Sequence, residues 1–156
     1  MNELTRERED EWHLYAGSIR KARRRWRSAY TSGIRVRPRL PDTLHGATEK
    51  QLESTEAFTG RFARAVDLLV NKVLRSLDRV ELKAEGTLLD VVNRAEKRGF
   101  VADAGALREM KDVRNMIAHD YAGAKAAEIF AYCRAQKPAF DEICTRVEAY
   151  VRRLSE

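Results

Sequence analysis

TEKQLESTEAFTGRFARAVDLLVNKVLRSL, residues 48–77, decides the fold. Phe58, Phe62, Ala65, Val66, Leu69, Val73 and Leu77 recur at spacings of three and four, which sets them on one side of an α-helix. The start is also legible. The Thr48 hydroxyl can accept a hydrogen bond from the backbone of Gln51 while the Gln51 side chain bonds back across the first turn, as in a capping box. So long an apolar stripe has to be covered by other elements, and this segment is expected to be the central core helix.

Working outward towards the C-terminus, Gly86-Thr87 opens a short helix, Leu88 to Lys97, which Gly99 closes in the left-handed conformation that a residue without Cβ adopts most easily. Phe100 and Val101 can then pack back. Asp103 is a cap for the next helix, which carries Leu107, Met110, Val113, Ile117 and Ala118 inward and ends near Asp120 to Gly123. A further helix from about Ala124 buries Ile129, Phe130 and Cys133. Pro138 removes a backbone donor and is expected to break or kink it. Phe140, Ile143, Cys144, Val147, Tyr150, Val151 and Leu154 make the last helix.

Working outward in the other direction, the segment from Gly33 to Gly46 holds two prolines, two glycines and several arginines, and reads as a connector. Before it, Trp12, Tyr15, Ala16, Ile19, Ala22 and Trp26 form the stripe of a first helix running from Leu4 or Thr5 to about Tyr30. No alternating apolar segment calls for a strand. The expectation is an all-α protein, an antiparallel bundle of five to six helices. It forms a single domain over residues 1–156, with a basic N-terminal helix and connector at 1–46 and the core bundle at 47–154.

The formal charge of +6 is unevenly placed: residues 1–40 hold 11 Lys and Arg against 5 Asp and Glu, and residues 41–156 hold 19 of each. Arg20, Lys21, Arg23, Arg24, Arg25 and Arg27, with Trp26 and Tyr30 interleaved, would attract a polyanion. A charge run of this kind is in general a solvated helix face, so Arg20, Arg23, Arg24 and Arg27 are candidates for RNA binding rather than a motif. No run approaches the roughly 18 apolar residues of a membrane span, and the charged segment from Glu3 to Glu11 carries no export signal. Cys133 and Cys144 lack the spacing of a zinc site or redox pair and read as reduced thiols of a cytoplasmic protein. No cofactor or metal is implied.

Function is written in Arg114-Asn115-Met116-Ile117-Ala118-His119-Asp120-Tyr121. An arginine can grip a phosphate through a forked pair of hydrogen bonds, and a histidine can move a proton near neutral pH, so together they suit phosphodiester chemistry without a metal. At 100° per residue Asn115 and His119 lie on nearly the same face, whereas Arg114 and His119 are about 140° apart. Those two converge on one phosphate if the arginine side chain wraps round, if the helix loosens near His119, or if a second copy of the helix faces the first. The third option suits cleavage by a ribose 2′-hydroxyl, which needs one group to take a proton and another to give one. A two-fold dimer supplies two copies of His119. His119 can equally act as a positive charge at a helix C-terminus, stabilising the macrodipole.

These residues resemble the HEPN superfamily, and within it the HepT-like toxins paired with small nucleotidyltransferases. The family motif Arg-x4-His-x-Tyr is matched by Arg114, His119 and Tyr121, and Asn115 matches the polar residue common after the arginine. The likeness covers roughly residues 50–152. It implies an all-α bundle, a homodimer with the motif helices facing across the axis, and a metal-independent endoribonuclease acting on RNA, with tRNA and mRNA as candidates. By that analogy Arg114 binds and polarises the scissile phosphate, His119 transfers protons, and Asn115 orients the histidine or the phosphate. Tyr121 matches the position that an MntA-type nucleotidyltransferase antitoxin modifies with AMP. The alternative within the family is a non-catalytic HEPN partner, an antitoxin or substrate-binding subunit of a nucleotidyltransferase; outside it stands a helical RNA-binding or adaptor module.

Overall fold

The computed structural model describes Arg24, residues 40–119 and residues 125–154. The helix expected from Leu4 to Tyr30 therefore lies outside the described residues, with Arg20, Arg23 and Arg27; Arg24 is helical and exposed.

The central segment forms as its stripe requires. Helix α1 spans Glu49–Leu68, passes into a π-helical segment Leu69–Leu74, and continues as α2, Arg75–Val80. Its capping box is present: the Gln51 N–H donates to Thr48 Oγ1 at 3.2 Å and the Thr48 N–H donates to Gln51 Oε1 at 2.9 Å. All seven stripe residues are buried. The π-helical segment was not anticipated. Its wider turn lets the adjacent pairs Leu69–Val70 and Val73–Leu74 all face inward, so the rod buries more apolar surface than a three-four pattern suggests.

Helix α3, Leu88–Lys97, has the expected bounds. Thr87 and Asp90 form a second capping box. Gly99, at φ +77°, closes the helix: its N–H donates to the Glu96 carbonyl at 2.9 Å and that of Phe100 to the Ala95 carbonyl at 3.0 Å, a Schellman motif that turns Phe100 into the core. Helix α4, Ala104–His119, buries Leu107, Met110 and Ile117; Val113 is half-buried and Ala118, expected inward, is exposed. Asp103 accepts the Gly105 N–H at 2.8 Å, and Glu96 of α3 accepts that of Ala104 at 2.7 Å.

Pro138 does not divide the last part of the chain: α5 runs unbroken from Ala126 to Leu154, where two helices were expected. The missing donor costs the Arg134 carbonyl one partner. Both residues are exposed, so water can serve that carbonyl, while the buried stripe of Ile129, Phe130, Cys133, Phe140, Ile143, Cys144, Val147 and Val151 stays in phase across the proline.

Helix α4 lies along α1 and runs against it, since Asp67 meets Lys111 and Arg114 while Thr55 and Ile117 share one pocket wall. Helix α5 runs in the direction of α1. Phe58 meets Phe130 edge to face at 6.2 Å, Phe62 meets Phe140 at 5.4 Å, and Tyr150 meets both Phe100, at 5.1 Å, and the Glu81 carboxylate. Glu81 also receives Arg98, whose guanidinium reaches Asp78 at 2.7 Å; Arg94 holds the other Asp78 oxygen at 3.0 Å. Burial alone would push the Glu81 carboxyl up, but the hydrogen bonds from Arg98 and Tyr150 outweigh it and hold it below its ordinary range. Burial pushes the Cys133 thiol up to about 12 and the Cys144 thiol well above its ordinary value. Among the described residues no helix is long and apolar enough to cross a membrane.

Candidate active site on helix α4

Three turns of α4 precede the motif and fix its rotation. Leu107, Met110 and Ile117 are drawn into the core, and Arg114 lies on the same inward side. Arg114 is consequently half-buried against α1 rather than extended into solvent, its side chain 32% exposed. Its Nε stands 3.2 Å from Asp67 Oδ1, and its Nη1 donates to Asn115 Oδ1 at 3.1 Å.

Asp67 is the hub of this seam. The same Oδ1 accepts Lys111 Nζ at 2.5 Å and Asn71 Nδ2 at 2.9 Å. Lys111 is buried, an unusual place for an ammonium group, and Asp67 is the charge that permits it. Burial of Asp67 favours its neutral form, but Lys111, by hydrogen bond and charge, then the charge of Arg114 and the Asn71 hydrogen bond, hold the carboxyl below its ordinary range. Asp67 is thus ionised near neutral pH, and the trio Asp67, Lys111 and Arg114 keeps one net positive charge.

His119 occupies the other side. It is exposed, the final residue of α4, and lines an open recess of about 330 Å³ with Asp112, Asn115, Met116, Lys125 and Ile129. Arg114 is not part of that wall. The divergence expected from helical geometry is therefore retained within one chain: Arg114 faces the α1 seam and His119 the recess beside α5. Asn115 joins them, accepting a hydrogen bond from Arg114 while sharing the recess with His119. Tyr121 lies outside the described residues.

Sequence reasoning missed Asp67, Asn71 and Lys111. A signal existed in Lys111, a charge on the border of an otherwise apolar stripe and one turn before Arg114. Asp67 carried none, because its cationic partners lie on another helix, 44 residues away in the case of Lys111.

A family model described as Ribonuclease HepT-like matches residues 38–147, which takes in α1 to α4, the whole seam, the recess and most of α5. Neither a curated protein nor a solved structure matches the chain.

Proposed function

The chain belongs to the ribonuclease HepT-like family, and from that premise we propose that it is a metal-independent endoribonuclease, the toxin of a HEPN/nucleotidyltransferase toxin-antitoxin system. The observation that carries the reading is the Arg114, Asn115 and His119 set at the end of α4, inside the matched region, with Arg114 and Asn115 hydrogen-bonded.

In the proposed reaction the ribose 2′-oxygen attacks the adjacent phosphorus as the bond to the 5′-oxygen breaks. One histidine takes the 2′-hydroxyl proton and another gives a proton to the leaving oxygen, so the products are a 2′,3′-cyclic phosphate and a 5′-hydroxyl. Arg114 stabilises the charge gathering on the non-bridging oxygens. Two histidines are needed, and a two-fold dimer supplies His119 twice. His119 and Met116 are both exposed at the recess, the face that a second copy of α4 would meet in this reading. In the same reading Tyr121 is where a partner nucleotidyltransferase of the MntA type attaches AMP, placing bulk and negative charge beside the RNA, and Arg20, Arg23, Arg24 and Arg27 extend the RNA-binding surface.

Cleavage of bulk RNA and tRNA in EDTA tests this directly. Wild-type protein should yield cyclic phosphate ends, and Arg114→Ala and His119→Ala should each lose about two to four orders of magnitude in rate. A folded dimer that cleaves nothing, with intact mass showing no AMP on Tyr121, would instead identify a non-catalytic partner of the nucleotidyltransferase.

A further inference from the structure

Resting on the ribonuclease reading above, we propose that Asp67 is a positioning residue for the phosphate-binding Arg114, and that Lys111 is its counter-charge. An arginine side chain turns about four bonds and, left alone on a helix end, would sample many directions before meeting a phosphate. Here two of its three nitrogens are held: Nε by Asp67 at 3.2 Å and Nη1 by Asn115 at 3.1 Å. Those two contacts lie on different edges of a planar group, so together they set its plane. Among the described residues no acceptor meets Nη2, the nitrogen to which the proposal assigns the incoming oxygen.

A carboxylate beside an anion-binding guanidinium has a cost, since it cancels the charge that attracts RNA. Lys111 removes that cost. It reaches the same Asp67 oxygen at 2.5 Å from a buried position, and the trio keeps the single positive charge that Arg114 would carry alone. Asn71, one turn after Asp67 on the same rod, fixes the carboxylate by a third bond at 2.9 Å. A plain staple between α1 and α4 would be complete with Lys111 and Asp67; the contact to Arg114 Nε is what a positioning role adds.

The test is the full-length protein carrying Asp67→Asn together with Lys111→Met. The pair removes one charge of each sign, so the attraction to RNA and the neutrality of the seam are kept while the ionic hold on Arg114 is lost. With tRNA in EDTA, kcat should fall about a hundredfold while KM moves less than roughly threefold, and Asp67→Glu should keep a larger share of the rate than Asp67→Asn. Wild-type kcat in the double variant, or a loss confined to KM, overturns the proposal. A second arm does not depend on activity. In 15N–1H spectra the Arg114 Nε–H signal, assigned by its disappearance in Arg114→Ala, should be protected from exchange in the wild type and lose that protection in the double variant. If the wild type cleaves no RNA, the ribonuclease reading fails and this arm alone decides: a signal equally protected in the double variant, or unprotected in the wild type, overturns the positioning role.

Discussion

Asp78 is nearly closed off from solvent, yet receives Arg94 and Arg98 through its two oxygens. Removing one partner of such a cluster leaves buried charge without compensation, and Asp78→Ala should cost about 3–5 kcal/mol of stability by urea denaturation. Glu81 sits one turn further on and is sensitive to acid. Its folded carboxyl is held below the ordinary 4.5, so its contribution is complete above that value and is lost as the pH falls through the folded value. Melting followed by circular dichroism from pH 6 to pH 3 should therefore show a steep acid limb that is flatter in Glu81→Gln; equal limbs would mean that the Arg98 and Tyr150 contacts contribute nothing to acid sensitivity. At this scale the sequence told little. Acidic side chains on exposed and buried positions look alike until the helices are docked, and Asp67, Asp78 and Glu81 find their cationic partners from other helices.

Individual elements were far more legible, because caps and stripes are local. Thr48 with Gln51, the helix opening at Gly86-Thr87 and the left-handed Gly99 each place a helix boundary within a few residues of chain, and all three formed as read; the capping box that Thr87 makes with Asp90 is a finding of the structure. Gly99→Ala forces a Cβ onto φ +77° and should destabilise by about 1 kcal/mol in thermal or urea melts. Pro138 is the instructive departure. A proline inside a helix forfeits a hydrogen bond and crowds the preceding turn, but neither effect stops a helix whose apolar face is buried on both sides of it, as Cys133 and Phe140 are. The penalty is still present in α5, so Pro138→Ala should raise stability by about 1–3 kcal/mol. A variant no more stable than wild type would show that the helix has already absorbed the strain. The π-helical segment could not be read at all: its pattern differs from an α-helical one by a single extra inward residue per turn.

Over the whole molecule, the up-down relation of α1 and α4 decides which motif residues can act together. Within one chain it sends Arg114 to the α1 seam and leaves His119 at the recess, so the proposed chemistry depends on a second chain. Sedimentation should give a species of twice the 17.9 kDa chain mass at micromolar concentration. A monomer that retains full RNA cleavage would remove the composite site. Because RNA contacts would be made by arginines and lysines, KM should rise steeply between 50 and 200 mM salt, as about the first power of concentration or more for each pair of phosphates neutralised. That slope should diminish if Arg20, Arg23, Arg24 and Arg27 are replaced together by glutamine. The motif itself was visible in the sequence, and so was the divergence of its two key side chains, since both follow from residue spacing on one helix. What spacing could not reveal is that the arginine's inward direction is stabilised by an ionised partner on another element.

Cys133 and Cys144 are the chain's two cysteines, both are buried, and burial keeps their thiols protonated at working pH. The native fold is therefore silent towards thiol-specific probes, and a single cysteine introduced on the surface becomes an addressable point without any background removal. A nitroxide spin label at Met116→Cys, beside His119 on the exposed face of α4, turns that silence into a ruler: dipolar spectroscopy would read the separation between the two labels of a dimer. A separation of about 20–30 Å, no longer than a helix of some 20 residues, would place the two motif helices against each other; a much longer one would set them apart.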